Sequence, residues 1–142
     1  MAARNHSLIK QVIYVSTPVG FDEKVLNSIL EQSKRNNEKN QITGALICRS
    51  DLYLQYLEGP AHKIDFIYSK IKTDKRHTNV KLLGDARSKR RLFANWSMKD
   101  DLVKDWMWTQ KEVVSGILEK LSSHDAMKIF VRHSKEVDQF LP

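Results

Sequence analysis

Several polar side chains stand where the apolar pattern of this chain calls for hydrocarbon. In "LYLQYLEGP" (Leu52 to Pro60) apolar and aromatic residues fill odd and even positions alike. A strand here is buried on both faces, and Gln55 sits in its middle. Tyr14 lies in "LIKQVIYVS" on the same face as Val12. After Asp22 the apolar stripe Leu26, Leu30 continues at helical spacing to Ser33 and Asn37, with Asn36 alongside. The covered face of that helix therefore turns polar at its C-terminal end. A phenol and several amides in dry surroundings can do one kind of chemistry together, which is hydrogen-bond recognition. A buried amide needs partners for both its donors and its acceptor. A flat heterocycle offering carbonyl oxygens and ring nitrogens satisfies all of these groups at once. Taken singly, each residue has a plainer reading: a core tyrosine, a helix C-cap at Asn36 or Asn37, a Gln55 bonded to a neighbouring carbonyl. Convergence on one end of one face is what the plainer readings leave unexplained.

The elements that would position these groups follow from periodicity. Leu8 to Ser16 reads as a strand ending before Pro18 and Gly20, and a helix with Val25, Leu26, Ile29 and Leu30 on one stripe follows from Asp22. "QITGALICR" (Gln41 to Arg49) and "LYLQYLEG" are two strands joined by a tight turn at Ser50 and Asp51. Pro60 opens a second helix with Ile64, Ile67, Tyr68 and Ile71 at helical spacing. "NVKLLGDA" (Asn79 to Ala86) is a fourth strand and "FANWSM" (Phe93 to Met98) a short fifth. Strand, helix, strand, strand, helix, strand, with right-handed crossovers, predicts an α+β ferredoxin-like sheet with both helices on one face.

Such a sheet leaves its other face wet, yet the sequence around Gln55 requires that face to be covered. The tail supplies a cover. Thr109-x-x-Glu112 is a capping box ahead of Val113, Val114, Ile117, Leu118 and Leu121. Ser122 or Ser123 caps a second helix with Met127, Phe130, Val131 and Val137. A helical hairpin over the far face, or in a subunit contact, is the expectation, with "KDDLVKDWMW" (Lys99 to Trp108) as linker.

Length and composition exclude several function classes. The 142 residues suit one core, and 41% hydrophobic with 29% charged residues is ordinary for a soluble domain. No apolar run is long enough for a membrane helix, and the N-terminal stretch lacks a signal-peptide layout. Cys48 is the lone cysteine, so an internal disulfide is impossible and a cytoplasmic setting is expected. The net charge of +7 comes from short clusters, "KTDKRH" (Lys72 to His77) and "RSKRR" (Arg87 to Arg91) among them. These are read as solvated surface, with a ferredoxin-like nucleic-acid-binding module as the alternative. No nucleophile arrangement, metal-ligand spacing or glycine-rich phosphate loop is present, so neither an enzyme nor a metal site is expected.

"VIYVS", "SKRNNEKNQITGALI", "LQYLEGP", "IKTDKRH" and "FANWSM", in this order and spacing, resemble the BLUF family, flavin-binding sensors of blue light. The likeness runs from about Leu8 to Met98, and the tail is similar to the helical extension of the short, stand-alone members. It implies a flavin-binding domain over 1–100 and a linker with helical extension over 101–142. It further implies a photoactive tyrosine at Tyr14 and a switching glutamine at Gln55. Flavin would be held by Asn37, Asn36, Ser33 and Gln55, with Arg76 and His77 near the flavin or its phosphates. Trp96 and Met98 match a pair that transmits the signal. The implied cofactor is FAD, with FMN as the variant, and the implied partners are a second copy of the chain or a separate effector protein. Two positions depart from the family's pattern: Gln41, where glycine is usual before "ITG", and Tyr53, where phenylalanine is common. Neither departure is expected to touch a group that binds flavin.

Overall fold

The computed structural model describes residues 8–94, 98–102 and 107–139. Val12 to Val15 are all buried, so strand β1 (Ile9–Pro18) is covered on both faces. The Asp22 carboxylate accepts from the Val25 amide at 2.7 Å and starts helix α1 (Glu23–Lys39). Strands β2 (Thr43–Arg49) and β3 (Leu52–Gly59) form a hairpin. Helix α2 (Ala61–Lys72) begins behind Pro60 and leads into β4 (His77–Ser88). The chain continues through β5 (Lys99–Leu102), α3 (Gln110–Val114), a 3-10 turn at Leu118–Lys120 and α4 (Ser123–Gln139).

The sheet order is β4-β1-β3-β2-β5. β1 is antiparallel to β3 and β4, and β2 is antiparallel to β3. Each of α1 and α2 thus joins two parallel strands with a third slotted between them, the ferredoxin-like arrangement that the order of elements anticipates.

Every residue of β3 is buried. Its alternation separates two cores. Tyr53 and Leu57 pack with Val12, Leu46, Leu30 and Ile64 under α1 and α2. Leu52, Leu54 and Tyr56 pack on the other side with Ile13, Ile47, Phe93, Leu118 and Phe130. The tail therefore covers the far face, as the two-sided burial of β3 demands. Its anchor is Phe130, whose ring lies 5.4 Å from Tyr56 and 6.4 Å from Phe93.

Glu58 also points to the far side, and it is fully buried. Its carboxylate accepts from Tyr56 Oη at 2.8 Å, from Thr43 Oγ1 at 2.8 Å, and from the Leu92 and Phe93 amides at 2.7 Å each. Four donors compensate for the lost hydration of one carboxylate. Arg91 ties the same corner, donating to Thr43 Oγ1 at 2.9 Å and to the Gln41 carbonyl at 2.6 Å.

Two details differ from expectation. A fifth strand lies at Lys99–Leu102, within the expected linker, and pairs in parallel with β2 from Ala45–Lys99 to Cys48–Leu102. Residues 95–97 of the strand expected at Phe93 to Met98 lie outside the described residues. "KDDL" carries no strand signal of its own; the open edge of β2 supplies its hydrogen bonds. The first tail helix is a single short turn, because Gly116 takes a left-handed φ of 85° and breaks it, leaving Val114 exposed. The capping box itself is present, with Glu112 N donating to Thr109 Oγ1 at 3.1 Å and Thr109 N to Glu112 Oε1 at 2.9 Å.

Gln41 has a φ of 60°. The position before "ITG" is left-handed, which is why glycine suits it and why glutamine is strained there. Gln41→Gly should therefore raise stability by about 0.5–1 kcal/mol, since about 1–2 kcal/mol of strain is relieved against a smaller loss from a freer unfolded chain. A urea titration checks this; a lower midpoint in the glycine variant would contradict it.

Candidate functional site

Between α1 and α2, on the near face of the sheet, a cavity encloses about 790 Å³ of empty space counting its open mouth. Its concave shape and mixed apolar and polar lining suit a small organic ligand. Ile29 on α1, Ile67 and Ile71 on α2, and Leu46 and Leu57 on the sheet give it apolar walls. Tyr14, Ser33, Asn36, Asn37, Gln55, Arg76 and His77 all line it, so the structure brings together seven of the nine residues singled out by sequence. Met98 stands beside the cavity, and Trp96 lies outside the described residues.

The floor is set by strand register. Tyr14, Gln55 and Leu46 lie side by side across β1, β3 and β2. The Tyr14 hydroxyl donates to Gln55 Oε1 in a short hydrogen bond, and Gln55 Nε2 donates to Met98 Sδ at 3.5 Å. The amide is thus held between a phenol and a thioether, with the thioether the weaker partner. Burial pushes the Tyr14 phenol far above the usual tyrosine range; Tyr68 and Asp74 add to the effect, and Arg76 partly offsets it. Tyr14 consequently stays protonated at any physiological pH and its proton is directed at Gln55.

Helix α1 contributes its polar C-terminal end. Asn37 is buried, Ser33 half-buried and Asn36 exposed. The helix is capped by Asn40, whose backbone and side-chain nitrogens donate to the Asn36 carbonyl at 3.2 and 2.7 Å. With Asn40 as the cap, capping is not what places Asn37 on the cavity wall.

The loop after α2 contributes Asp74, Arg76 and His77. Arg76 Nη2 lies 2.5 Å from Asp74 Oδ2, and Nε lies 3.0 Å from Oδ1, so the guanidinium is partnered before any phosphate arrives. Nη2 also donates to Gln32 Oε1 at 3.0 Å. The hydrogen bonds from the Arg76 guanidinium hold the Asp74 carboxyl below the usual carboxylate range. His77 Nε2 is 2.5 Å from the Ile71 carbonyl, which can only accept, so this nitrogen carries a proton. Nδ1 faces Ser16 Oγ at 2.7 Å. Both ring nitrogens are thereby engaged by the protein, and His77 meets the cavity as a fixed ring.

Gln32, Lys70 and Tyr53 also line the cavity and were not assigned to it from the sequence. Gln32 and Lys70 sit on exposed helix positions and give no pattern signal. Tyr53 does: it lies two residues from Gln55 and so shares its face. The expectation that Tyr53 stands apart from the binding groups is corrected by this placement. Apolar walls, amides on one rim, and a buried Tyr53 hydroxyl with no partner among the described residues fit a flat, polar-edged heterocycle such as flavin.

All four tyrosines are raised by burial, Tyr14 and Tyr56 most. In the unfolded chain a phenol ionises near 10.0, whereas in the fold the buried Tyr14 and Tyr56 phenols stay protonated there. The folded state then binds more protons, so stability is full below that value and falls as pH rises above it. Tyrosinate absorbance should therefore appear together with unfolding; an ordinary titration of tyrosine in the still-folded protein would contradict the burial.

Residues 9–99 match the family model for BLUF, described as sensors of blue-light using FAD. The subunit beta of the photoactivated adenylate cyclase of Euglena gracilis is 32% identical over 95 residues, covering 65% of this chain and 11% of the relative. The chain spans about a tenth of the length of the curated cyclase subunits it matches. Among solved structures, the dark state of BlrB, a BLUF protein, aligns over 90% of this chain and 96% of its own, with a TM-score of 0.74 and 21% identity. A bacterial light-regulated adenylyl cyclase aligns over 94% of this chain and 37% of its own, at 26% identity and a TM-score of 0.64.

Proposed function

We propose, from the fact that the chain belongs to the BLUF family of blue-light sensors, that its photochemistry runs from Tyr14 through Gln55. The observation that carries this reading is the continuous hydrogen-bonded line on the cavity floor, from the Tyr14 hydroxyl to Gln55 and on to Met98. Asn37, Asn36, Ser33 and Gln55 would hold the polar edge of the flavin, while Ile29, Ile67 and Ile71 cover its faces. Arg76 and Lys70 supply cations for a phosphate, which FAD and FMN both carry; we assign FAD because the family's description names it, with FMN as the competing ligand. His77, fixed by Ser16 and Ile71, shapes the wall.

A bound flavin excited by blue light supplies a strong oxidant. Tyr14 is built to answer it, because the proton it would shed on losing an electron already points at the Gln55 carbonyl. Gln55 can take that proton and turn or tautomerise its amide. Tyr14 would end as it began, protonated and uncharged, with the Gln55 amide left with exchanged partners. A turned amide no longer offers its NH2 group to Met98, and Met98 directly precedes β5 at the sheet edge. The change would thus leave through β5 toward the C-terminal elements, to a second copy of the chain or a separate effector protein. Turnover of a substrate is not required of this chain. We place it in the cytoplasm, supported by the single buried Cys48; among the described residues no helix is long and apolar enough to cross a membrane. The nucleic-acid reading needs an open aromatic sheet face, whereas one face lies under α1 and α2 and the other under α4.

Illumination of the purified, flavin-loaded protein tests the reading. Tyr14→Phe keeps the ring and removes the transferable proton, so flavin should remain bound, its fluorescence should rise, and the light-induced red shift should vanish. Gln55→Leu keeps much of the side-chain volume without the amide; it should also bind flavin, show a slightly blue-shifted dark spectrum and lose the red shift. A full reversible red shift in either variant would refute the Tyr14–Gln55 assignment. Mass spectrometry of the ligand released by acid distinguishes FAD from FMN.

A further inference from the structure

Tyr53 carries a feature that the switch does not use. Its side chain is 4% exposed, and its hydroxyl is sealed from water without a hydrogen-bond partner among the described residues. Nothing about the packing calls for that hydroxyl. The ring is held by its edges and faces, 6.1 Å from Phe21 and 6.4 Å from His77, contacts that a phenylalanine would make equally well. Buried hydroxyls are rarely left unpaired, because desolvation without a replacement bond is costly.

The position of the residue says where the partner comes from. Tyr53 faces Ser16 across β1 and Cys48 across β2, one row along the same face from Tyr14, Gln55 and Leu46. It lines the same cavity as they do. The Gln55 amide is already engaged by Tyr14 and Met98, and His77, the nearest polar ring, has both nitrogens engaged by Ser16 and Ile71. We infer that the Tyr53 hydroxyl is a recognition group for the bound flavin, donating a hydrogen bond to a ligand oxygen, either a ring carbonyl or a hydroxyl of the ribityl chain. Burial raises the Tyr53 phenol above its usual range, which keeps it a donor. This deepens the flavin-binding reading and rests on it. The two tyrosines of the floor then differ in kind. Tyr14 has a proton acceptor within the chain, whereas Tyr53 acquires its acceptor only when the cavity is filled.

The assignment makes an unusual demand: removing the hydroxyl should help the empty protein and harm the loaded one. In flavin-free protein, Tyr53→Phe should raise the thermal midpoint by about 2–5 °C, since an unpaired buried group is deleted. Titration of the same protein with FAD, FMN, riboflavin and lumiflavin, followed by fluorescence quenching, should show affinity weakened by roughly ten-fold. A ten-fold loss with all four ligands supports a bond to the ring, and a loss confined to the three that carry a ribityl chain supports a bond to that chain. Unchanged affinity for every ligand overturns the inference, as does a flavin-free variant that melts below the wild type, which would mean that the hydroxyl serves the fold. A wild-type protein that binds none of the four would instead sink the flavin-binding reading itself.

Discussion

A primary amide in a strand with no water on either face has to be satisfied at both ends. In this chain the two ends are a phenol from β1 and a thioether from the residue preceding β5. Much of the architecture follows from that requirement. Tyr14 meets Gln55 because β1 and β3 are neighbours in the correct register, and Met98 meets it because the chain returns to the β2 edge. Both faces of the central strand must be closed for the amide to be held so narrowly. The near face is closed by α1 and α2 and the far face by the tail. Loss of either cover would admit water, and water satisfies an amide in any orientation.

The Asp74–Arg76 pair on the cavity wall, which the protein itself closes, has electrostatic consequences. Cationic Arg76 is paired with Asp74 rather than waiting bare, so an arriving phosphate must share or displace a carboxylate. Affinity then depends less on charge than on apolar cover and on the directed bonds from Asn37 and its neighbours. The strongly basic character of the chain resides largely elsewhere, in exposed residues such as Arg87, Lys89 and Arg90.

What the sequence discloses and what it conceals divide along physical lines. The two-sided burial of β3 is written in consecutive apolar letters, and the shared face of Tyr14 and Gln55 follows from period two plus one pairing. Asn37 on the helix face follows from the 3.6 period. The β5 strand is concealed because "KDDL" has no β preference; a neighbouring edge recruits it. The short α3 is concealed because the apolar stripe runs across Gly116, and only its backbone conformation reveals the break. The unpartnered hydroxyl of Tyr53 and the doubly held ring of His77 are relations between distant segments, which no local pattern encodes. Gln41 lies between these cases: the departure from glycine is visible in the sequence, and its left-handed backbone only in the fold.

Two nearby points of the chain, Leu92–Phe93 and Met98, are held on opposite sides of the sheet by residues of the same strand. At one point the Glu58 carboxylate takes the Leu92 and Phe93 amides at 2.7 Å each, and Phe93 is wedged 5.5 Å from Tyr56. At the other Met98 is held to Gln55 by a single 3.5 Å contact to sulfur. In mechanical terms the first attachment is a stiff pivot and the second a soft latch. The pivot ring bears on Phe130 and His133 of α4, so the far layer is built on the stiff attachment and the cavity side on the soft one.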